Sequence, residues 1–132
     1  MGTMSNTELV RHVYSEVSNG NSEPLLAHLA DDVEWTIIGS TPLSGTFRGR
    51  DQVVTELFGG LRAALRAPVA FEFDRFIAEG DSVVMEAHGT ATTTDGRPYN
   101  NRYCVIFDVV DGRFARIIDY VDTELVRTTL FP

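Results

Sequence analysis

Between Val69 and Asp122 the sequence alternates apolar and polar residues in runs cut by glycine turns, which commits that half of the chain to an antiparallel meander. Val69, Phe71 and Phe73 alternate with Ala70, Glu72 and Asp74, and Glu79-Gly80-Asp81 makes a turn. Val83 to Thr93 reads as a strand rich in β-branched residues. Asp95-Gly96 and Asp111-Gly112 are hairpin signals, and the strands Tyr99–Val110 and Arg113–Asp122 lie between and after them.

Those strands carry ionisable residues where a half-buried sheet normally carries apolar ones. Glu86 and His88 are two apart and so share a face of their strand. Asp119 interrupts the apolar series Phe114, Ile117, Ile118, Val121. A carboxylate inside a β-run is costly unless it is paired or functional. Glu86, His88 and Asp119 converging on one concave face would form a site for proton-transfer chemistry. A carboxylate that accepts from one imidazole nitrogen orients the ring and leaves the other nitrogen as acid or base near neutral pH. In this arrangement His88 is the proton carrier, Asp119 its orienting partner or a second base, and Glu86 the auxiliary acid. A satisfied polar cluster without turnover fits the same residues equally well.

The first half of the chain is mainly helical. Ser5 and Glu8 have capping-box spacing ahead of Leu9, Val10, Val13, Tyr14 and Val17, and Asn19-Gly20 supplies the stop. Ser22 caps a short second helix with Pro24 in its first turn, a stripe of Leu25, Leu26 and Leu29, and Asp31-Asp32 at its end. Val33 to Ile37 alternates as a strand, Gly39 to Gly49 is a loop, and Asp51 to Arg66 returns to helical period. Gly59-Gly60 inside that helix predicts a bend or a close packing contact, at about 1 kcal/mol per glycine. Thr123 to Leu130 is either a short closing helix or a tail. Helices followed by a meander of long strands make an α+β layout, with the helices on one face of a curved sheet and a pocket between the layers.

At 132 residues the chain is one domain, 1–132, and its net charge of −8 argues against nucleic acid or an anionic membrane as partner. The single cysteine, Cys104, excludes an intrachain disulfide and a cysteine-rich metal site. No run reaches the length of a membrane span, and the N-terminus lacks the basic and apolar regions of a signal peptide. A cytoplasmic location is the expectation. Gly2 is present, but Asn6 stands where a myristoylation signal has Ser or Thr, and Met4 is an alternative start.

The motifs Leu29-Ala30-Asp31-Asp32-Val33-Glu34-Trp35, Ser44 to Arg50 and Asp111-Gly112-Arg113…Asp119-Tyr120-Val121-Asp122, in this order, resemble the cone-shaped nuclear transport factor two fold. That fold also houses ketosteroid isomerases, SnoaL-like polyketide cyclases and limonene epoxide hydrolases. The resemblance covers essentially the whole chain and implies a cone-shaped antiparallel sheet enclosing an apolar pocket. The isomerases' aspartate base falls on Thr36 or Ile37, their oxyanion tyrosine is one residue out of register with Tyr14, and their second acid falls near Cys104 or Val105. Steroid isomerisation is therefore not expected. The epoxide hydrolases match without gaps from Gly96 onward. The last aspartate of their Asp–Arg–Asp triad lands on Asp119, and its Arg-x-Asp pair lands on Glu86-x-His88, so the positions stay ionisable while the chemistry differs.

The resulting expectation is a cofactor-independent acid–base enzyme, an isomerase, cyclase or hydrolase. Its substrate would be a small hydrophobic polyketide-, terpenoid- or steroid-like compound. The alternative is a ligand-binding or protein-interaction module of the same fold. Tyr14, Trp35, Ile37, Phe58 and Tyr103 are expected to line the pocket. No metal is expected, since His12 or His28 would have to leave the polar side of its helix to join His88 and Asp119. A homodimer is expected through the outer sheet face, with Val83, Met85 and Ala87 exposed there. Register is the weak link. Two-residue turns at Asp95-Gly96 and Asp111-Gly112 put His88 opposite Tyr103 and Asp119 opposite Cys104, on different faces. A bulge or a longer loop over Thr92–Pro98 would bring them together.

Overall fold

Apolar alternation decides which face of each strand is inside. In the computed structural model, which describes residues 4–132, six strands form one sheet in the order β2-β1-β6-β5-β4-β3. The strands are β1 (Leu29–Ile37), β2 (Gly45–Arg48), β3 (Ala70–Glu79), β4 (Ser82–Thr90), β5 (Arg102–Val110) and β6 (Arg113–Val121). Every neighbouring pair is antiparallel except β1 and β6, which run parallel. The readings at Gly2 and of the chain's start lie outside the described residues.

Helix α1 (Asn6–Ser18) is capped by the Ser5 hydroxyl, which accepts from the Glu8 N–H at 3.1 Å. Its buried stripe Leu9, Val10, Val13, Tyr14 and Val17 packs on the concave face of the sheet. Helix α2 (Glu23–His28) begins differently from the sequence reading. Ser22 makes no side-chain cap, and the Asn21 carboxamide oxygen accepts from the Glu23 N–H instead. Leu29 to Asp32 belongs to β1, with a register shift between Leu29 and Glu34, rather than to the end of α2. The loop read from Gly39 to Gly49 contains the short edge strand β2.

The third helix, α3 (residues 50–64), is not uniform. It starts as one α-turn, widens to π-helix over Val53–Phe58 and returns to α over Gly59–Ala64. The expected bend at Gly59-Gly60 is therefore a π-segment ending just before the glycines. No close packing contact explains the pair, because a Cβ at Gly60 would meet nothing within 4 Å. Residues 123–130 form a closing helix, α4, with Asp122 as its cap and a π-turn over Val126–Leu130. It covers one end of the cone, where Val126 packs with Leu65, Ala91 and Tyr99.

The faces of β4 are opposite to expectation. Val83, Met85 and Ala87 are buried in the main core, and Glu86 and His88 point to the outer face. The energetics favour this. Burying a valine or methionine side chain contributes about 1.5–3 kcal/mol, whereas turning the strand over would expose all three and bury two ionisable groups. On the outside, Arg75 lies 3.2 Å from Glu86 and Asp74 lies 2.8 Å from His88. The apolar residues on the outer face are Val84, Ile106 and Ile118, in register across β4, β5 and β6, flanked by Ile77 and Tyr120.

Candidate active site

Asp119 occupies an inner-face position of β6, because the alternation that buries Phe114 and Ile117 continues to it. On one side it is paired with Ile37 of β1, and on the other with Val105 of β5. Its backbone carbonyl accepts from the Ile38 N–H at 3.2 Å. The parallel pairing of β1 with β6 sets Trp35 beside it, and the indole Nε1–H donates to the carboxylate at 2.5 Å. Only 8% of Asp119 is exposed. Burial pushes its carboxyl up to about 6, with the Trp35 hydrogen bond pulling the other way. Half of a carboxyl with that value is ionised near pH 6, so it can both take and return a proton around neutrality.

The surroundings are aromatic. Tyr14 from α1 stands edge-on to Phe71 (5.2 Å between centroids) and Phe107 (5.3 Å), and Phe71 stands edge-on to Tyr103 (5.0 Å). Phe58, the last residue of the π-segment, meets the Trp35 ring at 5.5 Å and 86°. Ile37 completes the inner row. Burial raises the phenols of Tyr14 and Tyr103 well above their ordinary range, and the Asp119 charge adds to both. Tyr99 is raised for the same first reason, while hydrogen bonds from Asn101 and Tyr103 hold it back. Of the five residues expected to line a pocket, Tyr14, Trp35 and Ile37 are buried in the main core, and Phe58 and Tyr103 pack against it partly buried. Two surface concavities of about 440 and 410 Å³ lie elsewhere: one by Ser18, Arg66 and Thr92, the other by Asp74, His88 and Arg102.

The triad does not assemble. Asp119 is on the inner face, whereas Glu86 and His88 are on the outer one. His88 sits in a surface cluster: its Nδ1 is 2.8 Å from an Asp74 oxygen, and its Nε2 is 2.9 Å from an Arg102 nitrogen. A guanidinium can only donate, so Nε2 accepts and Nδ1–H donates to Asp74, which fixes the neutral ring in one tautomer. The ring has no nitrogen left for a substrate. Glu86 is tied to Arg75. Both residues lie apart from Asp119 for a physical reason: partners in water satisfy them better than an apolar interior does.

Sequence reasoning missed Tyr99 and Asn101. Tyr99 is 3% exposed and Asn101 2%, and the Asn101 amide donates to the Tyr99 hydroxyl at 2.9 Å. The glycine at position 89, inside a strand, marks a close approach by another group, though not by either of these two. Here that group is the Tyr103 ring. Of the helix histidines, His28 has Nδ1 2.7 Å from the Pro24 carbonyl. Among the described residues no group of three His, Cys, Asp or Glu is placed to hold a metal ion. None of the described helices is long and apolar enough to cross a membrane.

Comparison with known proteins agrees with this architecture. An uncharacterised Mycobacterium tuberculosis protein is 26% identical over 113 residues, which is 86% of each chain. An NTF2-like protein of unknown function from Burkholderia pseudomallei superposes with a TM-score of 0.84 at 24% identity, covering 96% of this chain and 98% of that one. TerC, crystallised with polyporic acid, gives 0.81 at 23% identity, with coverage of 96% and 98%. A candidate SnoaL-like polyketide cyclase from Jannaschia gives 0.79 at 15%, with coverage of 100% and 97%. These structural likenesses speak to the fold alone. The model of the SnoaL-like domain matches residues 10–117, which takes in most of α1, the whole of β1 and most of the sheet, so the chain belongs to the SnoaL-like domain family.

Proposed function

We propose that the chain is a cofactor-independent acid–base enzyme, an isomerase or cyclase, acting on a small apolar compound with an enolisable carbonyl. Asp119 would move the proton. One observation carries this reading: a buried carboxyl lifted to about 6 that accepts from the Trp35 indole, whose ring packs edge-on against Phe58. A carboxylate stripped of water is a stronger base toward carbon acids than a solvated one, and its raised value brings it toward neutrality. The aromatic walls suit a flat, apolar substrate of polyketide, terpenoid or steroid type. Neighbours named as cyclases and isomerases, and one crystallised with polyporic acid, support the same class. Hydrolysis is less well supported, because the two residues that would assist Asp119 in activating water are on the outer face.

The test is hydrogen exchange. A panel of cyclic enones, tetralones and β-diketones is incubated with the protein in deuterated water, and loss of the α-proton is followed by NMR. At least one compound should exchange faster with enzyme, and Asp119→Asn should remove at least 99% of that acceleration. Equal exchange with the wild type and with Asp119→Asn would sink the reading and leave a ligand-binding module.

A second copy of the chain is the partner we propose for the outer sheet face. The row Val84, Ile106, Ile118, with Ile77 and Tyr120 exposed beside it, supports this. Light scattering at micromolar concentration should give twice the chain mass, and Ile106→Glu should halve it. A wild-type monomer refutes the dimer.

A further inference from the structure

On the outer face two rows of side chains cross all six strands in register. Taken from β3 to β2, the first is Ile77, Val84, Ile106, Ile118, Thr36 and Thr46, apolar at one end and hydroxylated at the other. The second lies two residues further along each strand and is charged: Glu79, Ser82, Asp108, Arg116, Glu34 and Arg48. Most of this charged row is satisfied within the chain. Glu34 is ion-paired with Arg48, and Asp108 accepts from the Ser82 hydroxyl at 2.7 Å. Arg116 stands in register between those two carboxylates and is exposed. Among the described residues its guanidinium makes no ion pair with either.

The strand order makes these rows complementary to themselves. The midline of the sheet runs between β5 and β6. A half-turn about an axis along that midline, midway between two stacked sheets, sets β5 over the partner's β6, β4 over β1 and β3 over β2. Along the charged row Asp108 then faces Arg116 of the partner subunit, and Glu79 faces the partner's Arg48. Along the apolar row Ile106 faces the partner's Ile118. A twofold axis makes each contact twice. Stacked sheets lie about 10 Å apart, a gap that a long arginine and a short aspartate bridge from opposite sides. The other way to lay the apolar row on its copy is a half-turn about the row itself. That sets Asp108 over the partner's Cys104 and Arg116 over the partner's Tyr120, which covers a carboxylate with no cation opposite it.

We infer that a second copy docks on the outer face in one register, its twofold axis parallel to the strands between β5 and β6, with Asp108 of each copy paired to Arg116 of the partner subunit. The inference rests on the proposed dimer and adds the contacts that fix its orientation. The apolar row supplies the burial, and the charged row selects the register. Moving the axis by half a strand spacing, onto β5 or onto β6, sets Asp108 against the partner's Asp108 or Arg116 against the partner's Arg116. Like charges in contact are costly, so those registers are rejected. The approaching copy gives Arg116 the carboxylate that its own sheet leaves engaged elsewhere. Once water is excluded between the sheets, such a pair is stronger than on an open surface.

The experiment is charge reversal followed by mixing. Asp108→Arg and Arg116→Asp are purified separately, and light scattering over a dilution series gives the dissociation constant of each. Either change alone sets like charges together twice per dimer and should raise that constant by about tenfold or more. Mixed in equal amounts, the two variants should recover the wild-type dimer mass. In that heterodimer one chain brings only positive charges to the contact and the other only negative ones. A pair made within one chain predicts no such recovery, since each chain in the mixture keeps its own clash. Arg116→Gln adds no like charge, leaves the fold least disturbed, and should also weaken the dimer by about tenfold. A wild-type dimer with no recovery in the mixture overturns the register and leaves the dimer standing. Arg116→Gln dimerising as tightly as wild type does the same. A wild-type monomer removes the dimer and this register with it.

Discussion

The sheet carries two ionisable centres back to back, and they obey opposite rules. On the outer face Asp74, His88 and Arg102 lie in a row with water beside them, each satisfied by the next. On the inner face Asp119 has, among the described residues, one side-chain donor, Trp35, whose ring meets Phe58. The outer cluster has more charged partners and would attract attention first in any list of candidate triads. The inner one has fewer partners, and its proton affinity has moved because of that scarcity. Complete pairing makes a group inert, whereas incomplete pairing in a dry place leaves it able to react.

The contrast can be broken most sharply at Asp119 itself. The folded-state value is raised above the unfolded one near 3.9, so the folded protein binds more protons between about pH 4 and pH 6. Stability should therefore fall as pH rises through that window and stay lowered above it. Two units correspond to about 3 kcal/mol. Asp119→Asn should recover most of this at pH 8 and flatten the pH profile of urea midpoints. A variant less stable than wild type at pH 8 would show that the carboxylate is not a burden to the fold. Gly89→Ala should act in the other direction, at about 2 kcal/mol, because its Cβ meets a ring and a valine methyl that are both packed. Trp35→Phe removes the one donor to Asp119 and should cost about 1–2 kcal/mol at pH 8, less at pH 4 where the carboxyl is protonated. A loss independent of pH would mean that the indole acts by packing alone. His88→Ala should be the smallest effect, less than about 1 kcal/mol in thermal melts, since the cluster is half exposed. A loss as large as that from Gly89→Ala would erase the distinction between the two faces.

Much of this was legible in the sequence, and the reason for the failure is specific. The meander, the first helix with its Ser5 cap and Asp119 as an inward carboxylate candidate follow from alternation and turn chemistry, whereas the cone shape came from the family resemblance. The relative faces of His88 and Asp119 depend on register, which alternation does not count. Two-residue turns place the two residues on different faces, and a single one-residue slip would have brought them together. Two slips occurred. A bulge between Asp108 and Val109 moves Asp119 opposite Val105, and the long connection after β4 moves His88 opposite Arg102. Their effects on parity cancel, so the residues stay apart. The buried trio Val83, Met85, Ala87 held the better clue, since it is continuous with the core and Glu86 and His88 are not. Tyr99 escaped notice because it lies just ahead of β5, in an irregular stretch where periodicity says nothing about burial.

The parallel contact between β1 and β6 has a consequence for how this molecule comes to be. Every other strand pair along β3 to β6 is joined by a local connection and can zip from its turn. Trp35 and Asp119 are 84 residues apart, and no hairpin brings them together. Closing so long a loop is entropically slow, and such non-local pairings tend to come late. The chain has one tryptophan. Its emission should therefore change in the last, slowest phase of refolding, after the meander has formed, and the buried pairing of Asp119 with Trp35 would come into being only when the molecule is otherwise complete.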